Sequence, residues 1–146
     1  MKNNTVRTER HLVKNIASYL EKKGYNIALE VPFLSRSIDI IYQTKSGELV
    51  AIEAKMDYCK RAFNQAKYCL LGASRVYVCL PERRIAGNIR QRFLDMGIGL
   101  IHADKPSNGR KHIKFVIKAN RNENLDRRCK NLLREAFLKK TKGRSI

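Results

Sequence analysis

Residues 38–55 read IDIIYQTKSGELVAIEAK, two apolar-rich runs joined by a short polar segment, and this pattern is that of a β-hairpin. Gly47 stands where a three-residue loop requires a left-handed backbone. With the turn centred on Ser46, facing residues have numbers that sum to 92, so Asp39 falls opposite Glu53. Directly opposed side chains on one face have Cβ atoms roughly 4.5 to 5.5 Å apart. Two carboxylates at that separation repel unless a cation lies between them or one is protonated. Strand alternation puts Lys55 on the face of Glu53, while Val50, Ile52, Ala54 and Met56 make the other face wholly apolar. Two acids and an ammonium are thereby expected together on one side of a strand whose other side belongs to the core.

Working outward, residues 5–23 read as a helix with Leu12, Val13, Ile16 and Leu20 on one stripe, Thr5 as a cap and Gly24 as the stop. Extended segments follow at NIALEV from residue 26, SIDIIYQ from residue 37 and LVAIEAK from residue 49. A helix from about Tyr58 to Leu71 leads into the strand RVYVCLP, closed by Pro81. A further helix is expected over Glu82 to Met96, with Ile85, Ile89 and Phe93 at four-residue spacing and Gly97 ending it. Strands at IGLIHA and HIKFVIKA and a helix over Glu123 to Lys139 complete the order. That helix carries Leu125, Cys129, Leu132, Leu133, Ala136 and Phe137 on one face, and the final KKTKGRSI reads as frayed. The expected fold is α/β, a mixed central β-sheet flanked by helices on both faces, with an αβββαβ core and an added C-terminal strand and helix.

The chain has 146 residues, the size of one domain, and 43% of them are hydrophobic, which is globular composition. Its 31 Lys and Arg against 13 Asp and Glu leave a net charge of +18, and self-repulsion on that scale points to a polyanionic partner. No run approaches the ~18 apolar residues that span a bilayer, and residues 1–15 lack the apolar stretch of a signal peptide. A cytoplasmic protein without a membrane partner is expected. Cys59, Cys69, Cys79 and Cys129 are too scattered for an iron-sulfur or zinc site, as are His11, His102 and His112, and buried thiols are the favoured reading.

An E-x-K triplet is by itself most often a solvated strand face with a loose ion pair. Two helices give it weight. Glu9 lies on the apolar stripe of the first helix, where a buried acid would need a polar cavity, although a helix start also favours an acid through the helix dipole. Gln65 shares a face with Ala62, Ala66 and Cys69, where an amide wants a buried partner, unless it lies at the helix edge. A single site is the simplest common cause for Glu9, Asp39, Glu53, Lys55 and Gln65.

This combination resembles the PD-(D/E)XK nuclease superfamily, with its restriction-endonuclease-like fold. The matching pieces are Glu9 on the first helix, Asp39, Glu53-Ala54-Lys55, and Gln65 with Tyr68 on the following helix, within residues 5 to 103. Ile38 stands where the motif name has proline. The resemblance implies a metal-dependent DNA endonuclease in a single domain over residues 1–146, with catalytic residues Glu9, Asp39, Glu53, Lys55 and Gln65. Asp39, Glu53 and the carbonyl of Ala54 would hold magnesium, or manganese in its place, all being hard oxygen donors. Glu9 would hold a second metal or a metal-bound water, Lys55 would orient or deprotonate the attacking water, and the products would carry 5′-phosphates. The alternative is a nucleic-acid-binding protein of the same fold that is catalytically inactive or depends on a partner.

Residues 121–146, the basic C-terminal helix and tail, hold nine Lys or Arg against three acids. Arg127, Lys130 and Arg134 lie away from the apolar face and are candidate phosphate contacts, as are Lys60, Arg61 and Lys67. Arg75, Arg83, Arg84, Arg90 and Arg92 extend the basic character. Such contacts position a backbone without reading bases, so structure-directed cleavage with little sequence specificity is expected. Analogy with junction-resolving enzymes adds a homodimer.

Overall fold

The computed structural model describes residues 8–82, 84–103 and 112–142. Helix α1 (Glu9–Lys22) precedes three strands, β1 (Asn26–Phe33), β2 (Arg36–Gln43) and β3 (Leu49–Ala54). Then come α2 (Lys60–Cys69), β4 (Arg75–Leu80), α3 (Gly87–Met96), β5 (Gly99–Ala103), β6 (Ile113–Ile117) and α4 (Arg127–Lys142). The strands form one sheet in sequence order, parallel at β3–β4 and β4–β5 and antiparallel elsewhere. The α/β class and the mixed sheet between helices are therefore as the sequence indicates.

The central hairpin has the register of its sequence. Ile40 pairs with Ile52 and Gln43 with Leu49. Its loop closes through the Thr44 N–H to the Glu48 carbonyl at 2.8 Å and the Gly47 N–H to the Thr44 carbonyl at 2.9 Å, with Gly47 at φ +89°.

Two apolar layers sandwich the sheet. Leu12, Ile16, Ala17 and Leu20 of α1 pack with Ile40, Val50, Ile52 and Ala54 on one face. Phe63, Ala66 and Cys69 of α2, Phe93 of α3, and Leu133 and Phe137 of α4 pack with Ile41, Leu49, Ala51 and Val78 on the other. Two successive parallel crossovers running the same way share a face because each is right-handed. Hence α2 and α3 are companions, and α1 has the opposite face.

Helix starts differ from the sequence expectation. The cap of α1 is Thr8, whose side chain accepts from the His11 N–H at 3.1 Å, and Thr5 lies outside the described residues. Helix α3 begins at Gly87 instead of Glu82, whose carboxylate is bound to Lys114 of β6 at 2.8 Å. Helix α4 begins after Asp126, whose carboxylate accepts the Cys129 N–H at 2.9 Å and so fixes the first turn. It runs on through residues 139–142, read above as frayed, because Thr141 is buried and its hydroxyl bonds the Phe137 carbonyl. Residues 143–146 lie outside the described residues. Cys69 and Cys79 are buried as expected, whereas Cys59 is exposed at the start of α2 and Cys129 is half-buried.

Candidate active site

The β2–β3 ladder stops one pair short of the two acids. Beyond Ile40 and Ile52, the Ala54 N–H donates to the Asp39 carboxylate at 2.8 Å, where a strand partner would offer a carbonyl. The next N–H, of Lys55, goes to the Cys79 carbonyl on the other side. On β1, Leu29 pairs with Ile40 and Val31 with Ile38, which leaves Glu30 facing Asp39 with a left-handed backbone at φ +49°. The local distortion also breaks side-chain alternation, since Ile38 packs in the α2 layer and Ile40 in the α1 layer. Asp39 thus sits where β2 parts from β3, and its carboxylate reaches across the gap.

Glu53 is 6% exposed and its carboxyl is pushed up to about 8, first by burial and then by the Asp39 carboxylate beside it. The Cys69 thiol donates to Glu53 Oε1 at 3.5 Å, and burial pushes that thiol well above its ordinary value. Burial and the neighbouring Asp39 carboxylate therefore disfavour the charged form of Glu53 in the absence of a cation.

They open into a cavity of about 520 Å³. Asp39, Glu53 and Lys55 line it from the hairpin, Arg36, Ser37 and Ile38 from the start of β2, and Arg61, Asn64, Gln65 and Tyr68 from α2. The α2 residues recur at three- and four-residue steps, one stripe along the helix. Gln65 is half-buried, and its Oε1 is buried without a hydrogen-bond partner among the described residues. Tyr68 Oη accepts the Ser35 N–H at 3.1 Å and donates to the Phe33 carbonyl at 3.4 Å, while the Arg36 guanidinium lies 5.1 Å above its ring.

The structure brings Asp39, Glu53, Lys55 and Gln65 to one cavity and binds the Ala54 N–H to Asp39, while Ala54 itself and Glu9 are not among the lining residues. Glu9 is exposed in the first turn of α1, and that helix packs on the sheet face opposite to α2. The expectation that its place on the apolar stripe would bury it in a polar cavity is corrected, because the buried stripe begins only at Leu12. Among the basic candidates, Arg61 lines the cavity, and Lys60, Lys67, Arg127 and Lys130 are exposed. Arg134 is half-buried and donates to the Gly47 carbonyl at 3.0 Å, so it pins the hairpin loop to α4. Arg75 is bound to the Ala119 carbonyl at 2.7 Å and Arg92 lies 4.7 Å above the Phe63 ring. Arg84 and Arg90 are exposed, and Arg83 lies outside the described residues. Arg36, Ser37 and Asn64 are lining residues that sequence reasoning missed. The helical spacing of residues 61, 64, 65 and 68 is the signal that could have found Asn64.

Among the described residues no group of three or more His, Cys, Asp or Glu side chains is placed to hold a metal ion. The Asp39 and Glu53 carboxylates are hard oxygen donors, of the kind a divalent ion that keeps most of its waters would take. The fit rests on the crowded Asp39 and Glu53 pair, whose mutual repulsion a cation would relieve.

No family model and no curated protein matches the sequence. A protein of unknown function from Silicibacter pomeroyi is similar in structure, with a TM-score of 0.67 at 18% identity, over 95% of this chain and 89% of that one. A repair endonuclease from Pyrococcus abyssi matches with a TM-score of 0.53 at 14% identity, over 72% of this chain and 50% of that one. Identities this low show likeness of fold alone.

Proposed function

We propose that this protein is a metal-dependent DNA endonuclease of the PD-(D/E)XK type, structure-directed and with little sequence specificity. The observation that carries the reading is the convergence of Asp39, Glu53 and Lys55 on one cavity that Arg36, Arg61 and Gln65 also line. Likeness of fold to a repair endonuclease supports it.

In this reading Asp39, Glu53 and the Ala54 carbonyl hold magnesium, or manganese in its place. When bound, the ion polarises the scissile phosphate and stabilises charge on the leaving oxygen. Lys55 Nζ donates to the attacking water and holds its oxygen in line with phosphorus. Water adds to phosphorus as the bond to the 3′-oxygen breaks; the water loses a proton to solvent and the 3′-oxygen takes one from it, giving a 5′-phosphate and a 3′-hydroxyl. Arg36 and Arg61 grip the flanking phosphates, and the Gln65 amide positions the substrate backbone or Lys55. Glu9, on the other face of the sheet, has no part in this account.

The test is cleavage of duplex, single-stranded and branched DNA with magnesium by the wild type and by Asp39→Ala and Lys55→Ala. Each substitution is expected to lower the rate by about 100-fold or more. Wild-type rates in both variants would overturn the assignment. The second reading, a protein of the same fold that binds DNA without cutting it, draws on the net charge of +18 and the exposed Lys60, Lys67, Arg127 and Lys130. It predicts DNA affinity unchanged by Asp39→Ala and indifferent to magnesium. A homodimer belongs to the first reading, since a branched substrate offers two symmetric cuts. Sedimentation at working concentration should give twice the monomer mass, and a monomer would count against it.

A further inference from the structure

Strands β1 and β2 are joined by a two-residue turn, Leu34-Ser35, between the paired Phe33 and Arg36. The first loop position has φ +56°, a conformation usually given to Gly or Asn, yet Leu34 occupies it and is 52% exposed. A left-handed leucine strains the backbone, and its exposure leaves apolar surface in water, so neither feature serves stability. The turn is held firmly all the same. Tyr68 Oη bonds the Ser35 N–H and the Phe33 carbonyl, and the buried Phe33 ring meets the Tyr68 ring edge-on at 5.7 Å. Arg36 and Ser37, next along the chain, line the cavity together with Tyr68 itself. An apolar tip therefore stands two residues before Arg36, on a turn bound to Tyr68, and both of these residues line a cavity that also presents Lys55 and Arg61.

We infer that Leu34 is a wedge that enters the base stack of duplex DNA at a discontinuity, a branch point or a mismatch, and so selects interrupted duplexes for the cavity beside it. The inference rests on the reading of that cavity as a phosphodiester site, and it adds a residue that chooses the substrate. The basic lining and the net charge of +18 make a polyanion the fitting occupant. Apolar side chains inserted between base steps must disrupt stacking, and one leucine gains little surface with which to offset the opening of an intact step. Where a branch or mismatch has already weakened stacking, the same insertion is favourable. Arg36, two residues on, is placed to hold the adjoining phosphate.

The experiment uses duplex DNA carrying 2-aminopurine beside a branch point, and the same duplex without the branch, in a Lys55→Ala background with magnesium. The full chain should raise the fluorescence of the branched DNA only and bind it roughly tenfold more tightly or better. Leu34→Gly keeps the left-handed backbone and relieves its strain, so its melting temperature should equal or exceed that of the parent. It should lose the fluorescence rise, and its affinity ratio should fall towards one, while Leu34→Met should keep both. The inference is overturned if Leu34→Gly behaves as its parent does, if the parent binds branched DNA without a fluorescence rise, or if branched RNA of the same sequence responds equally. A Leu34-dependent rise in a protein whose wild type cuts nothing would sink the nuclease reading and leave the wedge standing. Cutting that needs Asp39 but keeps the wild-type substrate ratio in Leu34→Gly would do the reverse.

Discussion

Glu53 is the residue at which folding and the proposed function pull in opposite directions. Its carboxyl is raised from an ordinary 4.5 to about 8 by burial and by Asp39, so between those values the folded chain binds a proton that the unfolded chain releases. Stability without metal should therefore fall as pH rises from about 5 to about 8. Urea unfolding in EDTA should show a lower midpoint at pH 8 than at pH 5, and Glu53→Gln should remove much of that difference and raise the midpoint at pH 8. An unchanged slope in the variant would mean that another group is responsible. If the site takes magnesium as proposed, the ion should restore the midpoint mainly at the higher pH, where Glu53 is charged. At the same scale, Tyr68→Phe removes the acceptor of the Ser35 N–H and should cost about 1 kcal/mol in thermal unfolding.

Two glycines separate strain from space at the level of elements. Gly47, at φ +89°, has nothing within 4 Å of a would-be Cβ, so Gly47→Ala should cost only the left-handed penalty, about 1 to 2 kcal/mol. Gly99 on β5 lies against the ring of Tyr77, its neighbour across the parallel ladder, and a Cβ would also come within 2.7 Å of the Ala119 nitrogen. Gly99→Ala should cost about 3 kcal/mol, because an aromatic ring and a backbone must both give way. Calorimetry of the two variants checks the contrast, and equal costs would refute it. Element order and the hairpin register were legible because both follow short-range periods. Helix starts were less so, since Asp126 and Thr8 cap through contacts that several nearby polar residues could have made. The β1–β2 turn was illegible for a plainer reason, having neither Gly nor Asn at its left-handed position.

Across the whole molecule the positive charge divides into cations open to a ligand and cations spent on the fold. Arg61 lines the cavity, whereas Arg134 is bound to the Gly47 carbonyl. Arg61→Ala should flatten the dependence of log affinity on log salt by about one unit, as expected when one phosphate contact is lost. Arg134→Ala should leave that slope alone and lower stability by about 1 kcal/mol. Titrations of one DNA between 50 and 200 mM salt (roughly the range over which such slopes are read) distinguish them, and identical slopes for all three proteins would refute the division. Among the described residues no helix is long and apolar enough to cross a membrane.

The sequence by itself determined the α/β class, the hairpin with its Gly47 loop, and the placing of Asp39, Glu53 and Lys55 at one end of it. A two-residue strand period and a turn are local properties, and local properties can be counted along a chain. Tertiary structure decided the rest. It set α1 and its Glu9 against one face of the sheet and α2 with Gln65 and Tyr68 against the other, because crossover handedness and layer packing act between segments far apart in sequence. It also parted β2 from β3 at Asp39, opposite the left-handed Glu30, and so opened the cavity into which the acids face.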